Sequence, residues 1–198
     1  MSRRRSLGAL SAMLLARSDD LLELKARRQI HDHLAKYPGL HLREIARGVD
    51  LDANHVKYHL TALEKHGLVS SRREDGYWRF WPRTEGDLGH RDTLDRRDKD
   101  HLSLLRRPVP LHVSLLLLEH EAMSQVELLE HVSVSQSTLH YHLSKMEKKG
   151  LLASSKPGRE RHYRLTDADR TEALLIKHKP PDHLVQGFLE AWEQLELE

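Results

Sequence analysis

The chain contains no cysteine. That excludes disulfide bridges and thiolate-bound metal, and it fits a reducing, cytoplasmic setting. No apolar run approaches the ~20 residues of a membrane-spanning helix, so no membrane partner is expected. The phosphate-cradling glycine loop is missing, as are H-E-x-x-H and G-x-S-x-G. Those motifs would have pointed to phosphoryl transfer, metallohydrolysis or a serine nucleophile. The apolar residues are consumed by small domains, leaving no room for a sizeable pocket. The expectation is therefore a protein that is not an enzyme and carries no cofactor.

Charge is present in both signs: 32 Lys and Arg stand against 30 Asp and Glu, for a formal net charge of +2 over 198 residues. The total hides a gradient. The opening MSRRR is basic, whereas the segment from Asp182 onward has no Lys or Arg. Locally basic surfaces suit a nucleic-acid partner without requiring one. The opening MSRRR followed by LGALSAMLLA resembles the charged and apolar regions of a secretory signal. No small-x-small cleavage site follows it, because Arg17, Ser18, Asp19 and Asp20 come next.

The dominant feature is a repeat. VKYHLTALEKHGLV begins at Val56, and LHYHLSKMEKKGLL begins at Leu139. Subtracting 58 from 141 for the tyrosines, or 67 from 150 for the glycines, gives the same offset of 83. That offset also carries Ile30 to Val113, Leu34 to Leu117, Glu44 to Glu127 and Phe80 to Tyr163. It holds without a gap from about Gln29 to Leu165. This is a duplicated small domain, not a short-period solenoid.

Each copy reads as the same series of elements. In the first, over 25–83, a helix ends near Pro38 and Gly39, and a short helix starts near His41. Asp52 is positioned to cap a third helix, in which Val56, Leu60 and Leu63 share a face. Gly67 stops that helix. Two strands, LVSSRRE and YWRFWP, meet at a tight Asp75-Gly76 turn. In the second copy Ser124 and Glu127 form an S-x-x-E capping box. His41 is a poorer cap at the equivalent place. Ser135 caps the next helix, with Leu139, Leu143 and Met146 inward. LLASSK and RHYRL are the strands.

Outside the copies, Leu7, Leu10, Leu14, Leu21 and Leu24 lie on heptad-like steps in an expected N-terminal helix over 1–24. That stripe suits a dimer seam or packing on the chain's own body. Residues 84–107 read as a charged linker, partly helical through Leu94, Leu102 and Leu105. The second domain extends over 108–178 with a short extra helix, DADRTEALLIKH. Leu184, Phe188, Trp192 and Leu195 define an amphipathic, acidic helix over 179–198. A homodimer through one or both terminal helices is the expectation.

Helix, short helix, turn, longer helix and a two-stranded ribbon make up the winged helix-turn-helix plan, here in tandem. The fold class is mainly α with small β-wings. LREIARGVDLDANHVKYHLTALEKHGLV and SQVELLEHVSVSQSTLHYHLSKMEKKGLL resemble the winged helices of the ArsR and MarR regulator superfamily. The tandem arrangement resembles prokaryotic, notably archaeal, transcription regulators. The resemblance implies binding of double-stranded DNA, with recognition helices over 52–66 and 135–149 in the major groove.

With the apolar faces turned inward, the helix fronts offer Asn54, His55, Lys57 and Tyr58 in the first copy. The second offers Gln136, Ser137, Thr138, His140 and Tyr141. Amides such as Asn54 and Gln136 can pair with two edges of adenine, while hydroxyls and Lys serve phosphates or base edges. The wings carry Arg72, Arg73 and Arg79, then Lys156, Arg159, Arg161 and Arg164. Basic ribbons suit phosphates or the minor groove. Some of these arginines are expected to pair with helix carboxylates instead, Arg164 first among them. His59 and His142 are read as semi-buried structural residues.

Other functions compete with this reading. His55 and His59 have the i, i+4 spacing that can share a metal, but no third ligand is placed beside them, so no metal site is assigned. The 16 histidines also permit pH-dependent binding. Sequence-neutral architectural DNA binding needs the same basic surface without base contacts. A tandem winged-helix interaction scaffold would be favoured by an acidic total, which this chain lacks.

Overall fold

The computed structural model describes residues 24–83, 94–156, 158 and 160–186. The expected N-terminal seam up to residue 23, and Phe188, Trp192 and Leu195, lie outside the described residues. The chain divides into two units. The first contains residues 24–35 and 40–83, and the second contains 36–39 and 94–186.

In the first unit, helix α1 is described over residues 24–36, followed by strand β1 (Leu40–His41), α2 (Leu42–Val49), α3 (Ala53–Lys65), β2 (Val69–Glu74) and β3 (Tyr77–Pro82). The core draws on each helix at the expected spacing. Ile30 and Leu34 come from α1, Ile45 and Val49 from α2, and Val56, Leu60 and Leu63 from α3. Asp75 and Gly76 both have positive φ, 50° and 86°. That is the two-residue hairpin turn the Asp-Gly pair predicts.

The second unit repeats the series and adds to both ends. It comprises α4 (Arg96–Leu105), α5 (Pro108–Glu119), β4 (Ala122–Ser124), α6 (Gln125–His131), α7 (Gln136–Lys148), β5 (Leu152–Ser155), β6 (His162–Leu165) and α8 (Ala168–Lys177). Leu111, Val113, Leu117, Leu128, Leu139, Leu143, Met146 and Tyr163 form one buried cluster.

Two features depart from the sequence reading. Each wing is a three-stranded antiparallel sheet, ordered β1-β3-β2 and β4-β6-β5, where only two strands were expected. The additional strands have two and three residues, too few for an alternation pattern to register. Second, the helical part of the charged segment, α4, does more than link: its Leu104 and Leu105 join the core of the second unit. Asp95 and Asp98 of that segment hold the guanidinium of Arg170 on α8 at 2.6 and 2.8 Å. Its charges therefore stitch helices together as well as face water. Gly48 lies inside α2. A Cβ at this position would meet the His33 ring at 2.2 Å, so a larger residue here would have to displace that ring.

Both capping boxes are present. Ser124 Oγ accepts from the Glu127 amide at 3.2 Å, and the Glu127 carboxylate accepts from the Ser124 amide at 2.6 Å. His41 does the same in the first unit: Nδ1 accepts from the Glu44 amide at 3.4 Å, and Glu44 accepts from the His41 amide at 2.8 Å. The ring is a longer-range cap than the serine, but the box closes.

Candidate nucleic-acid interface

The two longer helices are positioned by their N-caps and by what they bury. Asp52 accepts from the amides of Asn54 at 2.8 Å and His55 at 3.4 Å, fixing the start of α3. Val56, His59, Leu60 and Leu63 are buried, which turns Asn54, His55, Lys57 and Tyr58 out to solvent. On α7 Ser135 Oγ accepts from the Thr138 amide at 3.2 Å and also meets the hydroxyls of Ser137 and Thr138 at 3.0 and 2.8 Å. Leu139, Leu143 and Met146 are fully buried, and Gln136, Ser137, Thr138, His140 and Tyr141 are exposed. The nine helix-front residues named from the sequence thus share two exposed surfaces, one per unit. Lys145 extends over Tyr141, its Nζ 5.6 Å from the ring centroid.

The wings differ from expectation. Arg79 is 4 % exposed, so it does not face solvent. It lies 4.0 Å from the carboxylate of Glu74, itself 8 % exposed, and Arg72 pairs with the same carboxylate. Here β3 is buried at Arg79, Phe80 and Trp81 in succession, so this stretch does not alternate between core and water. Arg73 is exposed. In the second wing Lys156 and Arg164 are exposed, and no carboxylate pairs with Arg164 among the described residues. Arg161 takes that role in part, 3.7 Å from Glu147 and donating to Ser154 Oγ at 3.0 Å. Arg159 lies outside the described residues.

His59 is fully buried and His142 half-buried. The His55 and His59 rings lie 4.5 Å apart, centroid to centroid. His55 is at the surface with His59 beneath it, so the pair does not present two nitrogens to a common outer site. The sequence reading missed Tyr77 and Trp78, which stand 65 % and 55 % exposed at the tip of the first wing. Their position directly after the Asp-Gly turn was the available signal. They border a hollow of about 560 Å³ between α2, α3 and the wing, where no sizeable pocket was expected.

Burial holds five histidines below their ordinary titration range: His41, His101, His112, His142 and His178. Neighbouring cations add to the effect, Arg97 at His101 and Arg107 at His142. In the unfolded chain they titrate near ~6.5, so below that pH the unfolded state binds more protons. Their contribution to stability is complete above about pH 6.5 and is lost as pH falls through the lower folded values. The urea midpoint is therefore expected to drop between about pH 7.5 and pH 5.5, and a flat profile across that window would contradict the assignment.

Capped helices with buried backs and polar fronts, each followed by a three-stranded wing, define two winged helix-turn-helix domains in one chain. The matching family models give the same class. A family model described as an N-terminal HTH domain matches residues 24–94, and one described as winged helix-turn-helix DNA-binding matches residues 112–153. The uncharacterized HTH-type transcriptional regulator MJ1398 of Methanocaldococcus jannaschii is 29 % identical over 83 residues, which is 42 % of this chain and 20 % of that protein. The match thus spans about a fifth of that curated relative's length. Among solved structures, HlyU from Vibrio cholerae N16961 is similar with a TM-score of 0.38 and 23 % identity, covering 42 % of this chain and 89 % of HlyU. The transcriptional repressor BigR from Xylella fastidiosa is similar with a TM-score of 0.35 and 28 % identity, covering 39 % of this chain and 81 % of BigR.

Proposed function

We propose that the chain is a DNA-binding transcription regulator that places α3 and α7 in the major groove of double-stranded DNA. One observation carries the reading: both helices bury an aliphatic stripe (Val56, Leu60 and Leu63; Leu139, Leu143 and Met146) and turn a capped, polar front outward. The matches to helix-turn-helix models and to an HTH-type regulator support it. Gln136 and Asn54 are the adenine readers, and Ser137, Thr138 and Lys57 serve phosphates or base edges. The second unit is the principal reader, because its wing exposes Lys156 and Arg164 while Glu74 engages Arg72 and Arg79 in the first. A homodimer formed through the terminal segments completes the proposal, with no catalytic role.

Fluorescence anisotropy against a genomic fragment pool and random duplex, across a salt series, tests the reading. If about six to ten phosphates are neutralised, affinity falls ~10³–10⁵-fold from 50 to 200 mM salt. Gln136→Ala should cost about 1–3 kcal/mol and relax preference at one base pair, and Asn54→Ala should cost less. A steep salt slope without sequence enrichment indicates an architectural protein. A folded chain that binds no duplex at low salt indicates an interaction scaffold.

A further inference from the structure

The two units share one framework, so each position has a counterpart 83 residues away. In the second unit a cation fills the angle between recognition helix and wing. The Arg161 guanidinium lies 3.7 Å from the Glu147 carboxylate and 5.8 Å from the centroid of the Tyr163 ring. Ser154 completes the set, donating to Glu147 at 2.5 Å and accepting from Arg161 at 3.0 Å.

The first unit retains this receptor without its occupant. Glu64 corresponds to Glu147, Ser71 to Ser154 and Phe80 to Tyr163, but Trp78 stands in place of Arg161. Trp78 is 55 % exposed, and the Glu64 carboxylate has no hydrogen bond or ion pair among the described residues. All four line the hollow of about 560 Å³, together with Tyr77 and Leu60. The volume lies within the ~300–1,000 Å³ of small-molecule sites. Lys57 and Arg43 line it as well, and they would repel a simple cation. Lys57 and Glu64 are seven residues apart on α3, or about 10 Å of helix rise. The lining therefore presents one carboxylate and, about two turns away, an ammonium.

We propose that this hollow binds a compact zwitterion with a guanidinium at one end and a carboxylate at the other, an arginine-like amino acid. Its guanidinium replaces Arg161, donating to Glu64 and Ser71 against the ring faces of Trp78, Tyr77 and Phe80. A planar fork of donors matches a carboxylate and stacks on aromatic rings better than an ammonium does. Its carboxylate faces Lys57 and Arg43. The site stands whether or not the chain reads DNA. On the DNA reading, occupation also withdraws Lys57 from phosphates, which makes this an effector site.

Isothermal titration of the full chain with L-arginine tests the proposal, with agmatine (no carboxylate) and citrulline (neutral urea in place of guanidinium) as comparisons. Saturable binding of arginine is expected, at least ~10-fold tighter than either analogue. It should be lost in Glu64→Gln and in Trp78→Arg, the second of which fills the hollow as Arg161 fills its counterpart. Circular dichroism should leave both variants unchanged, since neither side chain lies in the core. Absence of saturable heat up to about 10 mM arginine overturns the proposal. So does equal binding of the analogues, or unaltered arginine affinity in folded Glu64→Gln or Trp78→Arg.

Discussion

Glu74→Ala is expected to destabilise the first unit by about 3–5 kcal/mol, a large share of a small domain's stability. The glutamate is nearly inaccessible and lies beside a guanidinium that is more inaccessible still. Removing the carboxylate takes away a counter-charge 4.0 Å from the buried Arg79 guanidinium, and the cost of that loss is what the variant measures. Arg72, half-exposed, loses a partner too but can turn to water, so its share is small. Urea denaturation followed by the emission of the buried Trp81 provides the readout. Combining Glu74→Ala with Arg79→Met should recover most of the loss, because the double variant buries no charge. A loss below about 0.5 kcal/mol for Glu74→Ala would mean that this ion pair is not what holds Arg79 in place.

Arg106→Met carries the other large expected effect. Arg106 caps the end of α4 and is 2 % exposed. Its guanidinium donates to the carbonyls of Lys179 at 2.8 Å, His178 at 3.2 Å and Pro38 at 3.3 Å. These carbonyls lie outside regular helices and strands, in the segment after α8 and the short 36–39 stretch that belongs to the second unit. Methionine keeps the aliphatic stem and removes all the donors. The expected loss is about 1–3 kcal/mol for each carbonyl left buried without a donor. Hydrogen exchange should quicken over residues 178–186 more than over α7. Uniform protection in the variant would argue that water replaces the guanidinium without cost.

Both arginines explain what the sequence could not disclose. A wing arginine reads as a phosphate contact from its position alone, and Arg73 and Arg79 look alike in the string RRE…YWRF. What separates them is that the stretch from Arg79 to Trp81 is buried throughout, a matter of what packs on both sides of the ribbon. Arg164 shows the converse. In the second wing, burial alternates through Tyr163, Arg164 and Leu165, so Arg164 emerges on the solvent face. Arg106 gave no signal, since its three acceptors are backbone carbonyls separated from it by 68 to 73 positions.

The duplication, the spacing of Val56, Leu60 and Leu63 with their counterparts, and the helix caps at Asp52, Ser124 and Ser135 were legible because they rest on local periodicity and short-range hydrogen bonds. Those local terms determined the winged helix-turn-helix plan and the nine polar residues on its helix fronts. Tertiary structure decided which wing cations face solvent, that α4 packs into a core, and that a hollow stands beside Glu64 where its twin is filled. Each of these depends on which side chains meet across the fold, and a contact between distant positions leaves no period in the sequence.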